Sequence, residues 1–250
     1  MLYSIYDFLL IPWLIAAIIA FILLFTVTAP YGRFSNSSWG YLVNYRLGWF
    51  LQEIISPLSF SFFFFNGSAE KTIVSWVLFF IWVLHYINRS IIFPMRIPNG
   101  SKIPISVIAS AIFFNIINGF INGFYLGNLA AFDDQYIFSL KFIIGMLIFI
   151  IGLVINLHSD EILIKIKKKK AGYQIPEGGL YKFISCPNYF GEIMEWVGFA
   201  IISWSFPGLL FAIWTMANLI PRAKSHHKWY LEKFESNYPN NKKIIFPFIY

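Results

Sequence analysis

The chain has 250 residues, of which 58% are hydrophobic, 21% aromatic and only 12% charged. Soluble domains carry about 25% charged residues, so the chain has too few ionic groups to cover a water-soluble fold. This composition excludes a soluble globular domain, a disordered chain, a coiled coil and a disulfide framework, and predicts an integral membrane protein. The net charge of +7 does not indicate nucleic-acid binding, because the basic residues cluster beside apolar segments, where they meet lipid headgroups.

Seven apolar stretches are predicted to cross the membrane, each needing about 20 residues to span the hydrocarbon core. They lie at 8–29, 41–65, 72–93, 105–129 and 136–157, with two shorter spans within 192–219. The last stretch is divided at 203–208, because Pro207 and Gly208 favour a turn there. The first ten residues lack a basic segment and a cleavage site, so they are interpreted as part of a retained span. The predicted fold class is therefore all-α, with one seven-span membrane domain over residues 1–250.

The charges of the loops predict the orientation of these spans. All 19 Lys and Arg residues except Lys71 and Lys141 fall on one side of a seven-span arrangement. The other side collects acidic residues, namely Asp7, Glu70, Asp133 and Asp134. By the positive-inside rule, the N-terminus is expected outside and the C-terminus in the cytoplasm. The polar segment 158–187 is then an ordered cytoplasmic loop, followed later by a basic cytoplasmic tail at 221–250.

Ionisable residues inside a bilayer are costly unless they are paired or face water, so each is a candidate site residue. Glu53 lies mid-span in FLQEIISP beside Gln52. It is either a packing residue or a carboxyl group kept protonated in an apolar pocket, able to donate to a carbonyl oxygen. Tyr86 and Arg89 lie in WVLHYINRS, near the cytoplasmic end of the third span. They are either interfacial anchors or groups that meet a ligand and an anionic cofactor.

Further polar clusters follow the fifth span. NLHSD contains Asn156, His158 and Asp160, and the lysine run 165–170 comes next. The run is most simply a topology determinant, although it could also hold phosphate groups. No metal is predicted, because one carboxylate and one histidine do not complete a ligand set. The single cysteine, Cys186, has no partner for an internal disulfide.

The C-terminal part contains two denser motifs. CPNYFGEIMEW places Asn188, Glu192 and Trp196 within three helical turns. Acidic residues there either stabilise a helix N-terminus or bind a ribose or an amide. PRAKSHHKWYLEKF supplies Arg222 and His226 and is either an interfacial amphipathic helix or part of a binding site.

Together, these motifs resemble the steroid 5α-reductase family, the 3-oxo-5α-steroid 4-dehydrogenases. The family patterns appear in one order as NLHSD, YQIPEGGL, NYFGEIMEW and RAKSHHKWY, with the ending FPFIY. The family pattern also matches Gln52 and Glu53 in the second span. In the third span it matches His85 and Tyr86, followed by Arg89. The alignment is firm over 51–89 and 145–250, and the resemblance covers nearly the whole chain. Richness in Ile, Lys, Asn and Phe suggests a bacterial homologue in an inner membrane; a eukaryotic member would lie in the endoplasmic reticulum.

The resemblance implies an NADPH-dependent oxidoreductase that acts on CH–CH groups and reduces the Δ4 bond of 3-oxo-Δ4 steroids to 5α-dihydrosteroids. Glu53 and Tyr86 would bind the 3-oxo group as catalytic residues, and Gln52 would lie beside them in the substrate site. The residues carried over to the cofactor are Arg89, Asn156, Asp160, Lys167, Tyr173, Asn188, Glu192, Trp196, Arg222, His226 and Tyr230.

Two departures from the family pattern leave the choice between NADPH and NADH open. Lys167 stands where the family has an arginine, which keeps the charge but loses bidentate phosphate geometry. The segment 94–102 does not reproduce the family's Asn-Arg-Gly-Arg run, although Arg96 and Lys102 are candidate substitutes.

The expected partners are a steroid or another hydrophobic enone that enters from lipid, and the membrane lipids themselves. No nucleic acid and no obligate protein partner are expected, and a monomer is compatible with the sequence. One alternative is a related membrane reductase of trans-2-enoyl thioesters or polyprenals. Others are an isoprenylcysteine-type methyltransferase that uses S-adenosylmethionine, and a non-catalytic transporter or lipid-binding bundle.

Overall fold

The computed structural model describes residues 1–98, 100–169 and 172–250. These residues form seven long helices and a two-stranded sheet. The helices are α1 (Leu2–Leu24), α2 (Tyr45–Phe65), α3 (Ile73–Arg96), α4 (Ile105–Leu129), α5 (Leu140–Lys169), α6 (Pro187–Ser203) and α7 (Phe206–Phe234). Short 3-10 helices cover Gly32–Phe34, Ser37–Trp39, Asp134–Phe138, Gly179–Lys182 and Glu235–Asn237. The strands β1 (Leu42–Asn44) and β2 (Lys102–Pro104) pair antiparallel, with Val43 opposite Ile103.

Helices α1 to α5 are long and apolar enough to cross a membrane, judged by their length and composition. Many of their apolar side chains face outward; Phe8 and Ile22 of α1, for example, are 72% and 62% exposed. Such a surface suits lipid rather than water. A mainly helical, multi-pass membrane protein is therefore confirmed, whereas the number of seven crossings and the orientation stay predictions.

Several helix boundaries differ from the predicted ones, beginning with those of α1 and α5. Helix α1 already begins at Leu2, where the rings of Tyr3 and Tyr6 pack against Phe124 at centroid distances of 5.0 and 5.1 Å. Helix α5 continues to Lys169, so the first part of the predicted loop 158–187 is helical.

The extension of α5 has a local cause, because the segment 158–169 contains neither glycine nor proline. Glu161 and Lys165 also stabilise this part of the helix, since they lie four residues apart and form an ion pair of 3.4 Å. Lys170 of the predicted lysine run lies outside the described residues.

The predicted division of the last apolar stretch is confirmed. Helix α6 ends at Ser203, and Trp204 takes a left-handed backbone conformation with φ of 43°. The side chain of Ser205 then caps α7 by accepting a hydrogen bond from the backbone N–H of Gly208 at 3.1 Å. Helix α6 begins earlier than predicted, at Pro187, because proline in the first turn needs no hydrogen-bonded N–H.

Helices α5 and α6 pack backbone to backbone. A Cβ atom placed on Gly152 would lie 2.6 Å from the backbone nitrogen of Glu195 and 2.6 Å from the carbonyl oxygen of Gly191. Small residues allow membrane helices to approach this closely and to gain dispersion energy along their length. The contact places Asn156 of α5 beside Asn188 of α6, and these two residues join the candidate site described below.

The connecting segments meet at the two ends of the bundle. At one end Arg33, between α1 and α2, donates a hydrogen bond from Nη2 to the Tyr230 hydroxyl of α7 at 3.1 Å. At the other end the ammonium group of Lys141 lies 3.9 Å from the ring centre of Trp204. We call the first of these the basic end, because most lysines and arginines belong to its loops.

Adding a side chain at the close contact between α5 and α6 is expected to destabilise the protein. Gly152→Val should lower the stability by about 1–3 kcal/mol, because its side chain would overlap backbone atoms that cannot move independently. Thermal unfolding of the purified protein in detergent measures the effect. Ile150→Val on the exposed face of the same helix is the control and should leave the melting temperature nearly unchanged. An unaltered melting temperature for Gly152→Val would contradict the close packing.

Candidate functional site

A cavity of about 670 Å³ lies between α1, α2, α4 and α7 and reaches toward the basic end. Its wall is largely apolar, with the aromatic residues Trp13, Phe114 and Trp214 among the lining residues. Pockets for small ligands have volumes of roughly 300–1,000 Å³ and an apolar lining with few polar groups. The cavity therefore has the size and chemistry expected for a hydrophobic small molecule.

The three residues predicted to bind substrate all line this cavity. Helix α2 contributes Gln52 and Glu53, and α3 contributes the buried Tyr86. Gln52 donates from Nε2 to Glu53 Oε1 at 3.0 Å, and Asn115 of α4 donates to the backbone oxygen of Gln52 at 2.7 Å. The buried Gln52 Oε1 has no partner among the described residues. A carboxyl group and a phenol from different helices thus face one apolar space.

Arg89 lines the same cavity from the part of α3 that widens into a π-helix over Asn88–Ile92. Such turns are frequent at functional sites. Its guanidinium lies 5.3 Å from the ring centre of Trp49. The Nη1 atom is 3.5 Å from Asp160 Oδ2, and Nη2 is 3.8 Å from Glu192 Oε2. Two acidic side chains therefore balance a cation at the cavity wall.

A buried amide network continues from Arg89 into α5 and α6. Asn188 donates from Nδ2 to Asp160 Oδ1 at 3.1 Å, and Asn156 donates from Nδ2 to the backbone oxygen of Asn188 at 3.0 Å. The Asn156 Oδ1 atom is buried without a partner in the described parts of the chain. A buried polar atom in this state is costly, so it suits a ligand that brings a donor. Trp196, farther along α6, is buried and lines the cavity.

Arg33 forms a second cationic centre at the basic end. Its guanidinium lies 4.2 Å from the ring centre of Trp229, 4.6 Å from that of Tyr230 and 5.3 Å from that of Tyr173. Its Nη1 atom is buried and has no partner among the residues that the structure describes. Lys167, on the exposed last turn of α5, is close enough for the two charges to interact. The aromatic rings and the neighbouring cation together make a candidate anion site.

Arg222 of α7 holds the segment between α1 and α2 over the cavity by hydrogen bonds. Its Nε donates to the Tyr189 hydroxyl at 3.2 Å, and its Nη atoms donate to the backbone oxygens of Ala29 and Tyr31 at 3.0 and 2.9 Å. His226, one turn later, has Nε2 at 3.3 Å from the Tyr189 hydroxyl. Burial raises the pKa of the Tyr31 phenol, although Arg222 opposes this shift, so the phenol stays protonated at neutral pH.

The residues predicted from the sequence thus occupy one region that runs from the cavity to the basic end. Tyr173 and Lys167 are exposed and lie at its edge. The sequence did not single out several members of the region: Tyr31, Arg33, Asn115, Tyr189 and Asn218. Within the described ranges, no cluster of His, Cys, Asp and Glu side chains could hold a metal ion.

Comparison with known proteins gives the family. A family model described as "3-oxo-5-alpha-steroid 4-dehydrogenase" matches residues 101–250. The chain is 38% identical over 255 residues to steroid 5-alpha-reductase DET2 of Gossypium hirsutum, covering 99% of the chain and 98% of the relative. It is 37% identical over 236 residues to 3-oxo-5-alpha-steroid 4-dehydrogenase 1 of Rattus norvegicus, covering 93% and 91%. The chain therefore belongs to the 3-oxo-5-alpha-steroid 4-dehydrogenase family of oxidoreductases, as its motifs predicted.

Proposed function

We propose that the chain reduces the Δ4 double bond of a 3-oxo-Δ4 steroid to the 5α-dihydrosteroid, with NADPH as the reductant. The observation that carries the proposal is that Glu53 and Tyr86, from two helices, line one apolar cavity. Arg89, Glu192 and Trp196, which the resemblance assigns to the cofactor, line it as well. Family membership makes the chain an oxidoreductase of the steroid 4-dehydrogenase type; the cofactor and the residue roles are the proposal.

The chemistry of the substrate explains the need for an acid and a phenol. In a 3-oxo-Δ4 steroid the ketone is conjugated, so C5 becomes electrophilic when the oxygen is polarised. Tyr86 and a protonated Glu53 donate hydrogen bonds to that oxygen and stabilise the negative charge that develops on it. Gln52 donates to Glu53 Oε1, which leaves Oε2 to carry the proton toward the ligand. When bound, the reduced nicotinamide would supply the hydride that adds to C5, and a proton from solvent or a nearby donor would then add to C4 and complete the reduction.

The dry wall of the cavity strengthens these hydrogen bonds. The aromatic side chains exclude water, so the local dielectric is low and a charge on the ketone oxygen depends on the two donors. Both donors therefore contribute to the proposed polarisation of the ketone.

The residues around α5, α6 and α7 fit a reduced dinucleotide. The unpartnered Oδ1 of Asn156 can accept from an amide or a hydroxyl group, and the carboxylate of Glu192 can accept from a ribose hydroxyl. The remaining assigned residues, Asp160 and Asn188, hold this arrangement by their mutual hydrogen bond. We place the cofactor of the proposed reaction against these groups, with Arg222, His226, Tyr230 and Tyr173 bordering its phosphates.

Arg33 supplies a phosphate contact that the sequence pattern lacked. Lys167 replaces a family arginine and presents only a point charge, whereas the planar guanidinium of Arg33 can bind a phosphate through two parallel N–H groups. The aromatic rings around Arg33 orient that guanidinium and leave Nη1 unpaired among the described residues. We propose that Arg33 and Lys167 take the 2′-phosphate, which would favour NADPH over NADH.

The proposed topology keeps seven crossings, an outer N-terminus and the basic end in the cytoplasm, where the cofactor is dissolved. A steroid would enter sideways from lipid, because Ser106 and Ser110 of α4 line the cavity and are also exposed on the bundle surface. No obligate protein partner is proposed, and the functional unit is taken as a monomer in a bacterial inner membrane or, for a eukaryotic chain, the endoplasmic reticulum.

The alternative functions receive less support. A trans-2-enoyl thioester or a polyprenal also presents a conjugated carbonyl that Glu53 and Tyr86 could polarise, but the family model and the relatives carry steroid names. A methyltransferase or a lipid-binding bundle would not require an acid and a phenol to face one cavity. The steroid reaction accounts both for the names of the relatives and for the acid and the phenol that face one cavity.

Loss of either hydrogen-bond donor should slow the reaction without releasing the cofactor. Glu53→Gln and Tyr86→Phe are each expected to lower turnover of a 3-oxo-Δ4 steroid by about 10²-fold, because charge on the ketone oxygen loses a strong donor. Chromatography of the dihydrosteroid measures turnover, and the fluorescence of bound NADPH measures affinity. Glu70→Gln and Tyr136→Phe, at the opposite end of the bundle, are the controls. Normal turnover in both site variants would refute these roles.

The phosphate role of Arg33 is tested with nucleotides that differ by one group. Arg33→Gln should weaken the binding of 2′,5′-ADP by roughly tenfold or more and leave that of 5′-ADP nearly unchanged, since only the former carries the 2′-phosphate. Calorimetry or quenching of tryptophan fluorescence measures both affinities. Lys182→Gln removes an exposed positive charge near the same end and controls for general attraction. An equal loss for both nucleotides would assign Arg33 to another phosphate.

A further inference from the structure

A buried polar pair joins α3 to α6 behind the cavity wall. The Nδ1 atom of His85 and the Oε2 atom of Glu195 lie 2.7 Å apart, and the two residues are only 5% and 0% exposed. Neither residue lines the cavity. Burying two ionisable groups costs desolvation energy that an apolar pair would avoid. The pair is therefore a candidate for a role in fixing geometry rather than in stability alone.

Each member of the pair directly precedes an aromatic residue of the site. His85 is followed by Tyr86, and Glu195 by Trp196. The imidazole ring lies edge-on to both aromatic rings, at centroid distances of 4.6 Å from Trp196 and 5.2 Å from Tyr86. The rings of Tyr86 and Trp196 are themselves 5.9 Å apart. A hydrogen bond between His85 and Glu195 thus sets the position of one aromatic residue relative to the other.

Glu195 belongs to the close backbone contact between α5 and α6. Its backbone nitrogen lies at the point where α6 touches Gly152 of α5, with no room for a side chain between them. The α5–α6 unit carries Asn156 and Asn188, which we assigned to the cofactor, whereas α3 carries the phenol that grips the ketone. The other polar contact between α3 and α6, from Arg89 to Glu192, is longer, at 3.8 Å.

We propose that His85 and Glu195 form a positioning pair that holds the substrate-gripping helix α3 in register with the cofactor-binding α5–α6 unit. This inference rests on the proposed function. The pair touches neither substrate nor cofactor; it sets the distance between the polarised enone and the hydride donor. A misplacement of about 1 Å in such a geometry can cost on the order of 10²-fold in rate.

The test compares variants that remove or keep the hydrogen bond at nearly constant volume. Glu195→Leu removes it and should lower kcat by about 10- to 100-fold, because the reacting atoms are no longer held at the productive distance. The dissociation constant for NADPH and the steroid KM should change by no more than about threefold. Glu195→Gln still bonds to His85 and should restore most of kcat.

An isotope effect separates positioning from a general loss of folded protein. With NADPH deuterated at the transferred position, Glu195→Leu should show a larger primary isotope effect on kcat than wild type, because hydride transfer becomes rate-limiting. The double variant His85→Leu/Glu195→Leu should be no slower than either single variant, since both remove one interaction. Tyr136→Phe deletes a hydrogen bond of 3.0 Å to Ile202 far from the cavity and should alter neither kcat nor the isotope effect.

The outcomes distinguish this inference from the function on which it rests. Absence of steroid turnover in the wild type, with NADPH bound, would overturn both. Normal wild-type turnover with an unchanged kcat and isotope effect in Glu195→Leu would overturn the positioning role alone. A tenfold or greater loss of NADPH affinity in that variant would also overturn it, because the pair would then serve cofactor binding. If Glu195→Leu does not fold, His85→Asn, whose side chain is shorter, replaces it with the same expected loss of kcat.

Discussion

The proposed reaction depends on a carboxyl group that lines an apolar cavity. Glu53 is in the middle of a helix, with Gln52 donating to one of its oxygens and aromatic side chains on the opposite wall. In the proposed reaction this carboxyl group donates one hydrogen bond to the substrate ketone. Tyr86 offers a second donor to the same space. An electrophilic ketone is a ligand that uses two neutral donors in an otherwise dry site.

Helix packing brings this pair together with the groups assigned to the cofactor. Glycines at the α5–α6 contact allow Asn156 and Asn188 to lie side by side. From α3, Arg89 contacts the carboxylates of Asp160 and Glu192. Arg222 ties the segment after α1 over the cavity through two backbone oxygens. The site is thus assembled from elements distant in sequence, and its geometry depends on backbone contacts that tolerate no added side chain. The buried pair of His85 and Glu195 lies where it can align α3 with the α5–α6 unit.

Much of this arrangement could be predicted from the sequence, and the reasons for the failures are physical. Apolar stretches of membrane length located α2 to α5. Pro207 and Gly208 located the break before α7, although the structure puts the break at Trp204 and Ser205 and both residues in the first turn of α7. The end of α5 could not be predicted, because a polar segment favours a loop, whereas Glu161 and Lys165 form an ion pair within a continuing helix. Arg33 was missed because a single arginine in a short loop has no spacing pattern, and its aromatic neighbours come from the far end of the chain. Tyr189 was overlooked inside a recognised motif, since only the fold shows that Arg222 lies against it.

The most direct test of the central claim follows the transferred atom. Purified protein is given NADPH carrying deuterium at the transferred position and a 3-oxo-Δ4 steroid, and the product is analysed by mass spectrometry and NMR. Polarisation of the 3-oxo group by Glu53 and Tyr86 makes C5 the electrophile, so deuterium is expected at C5 on the α face. Deuterium at C4 or at C3, or a dihydrosteroid that carries none, would contradict the account.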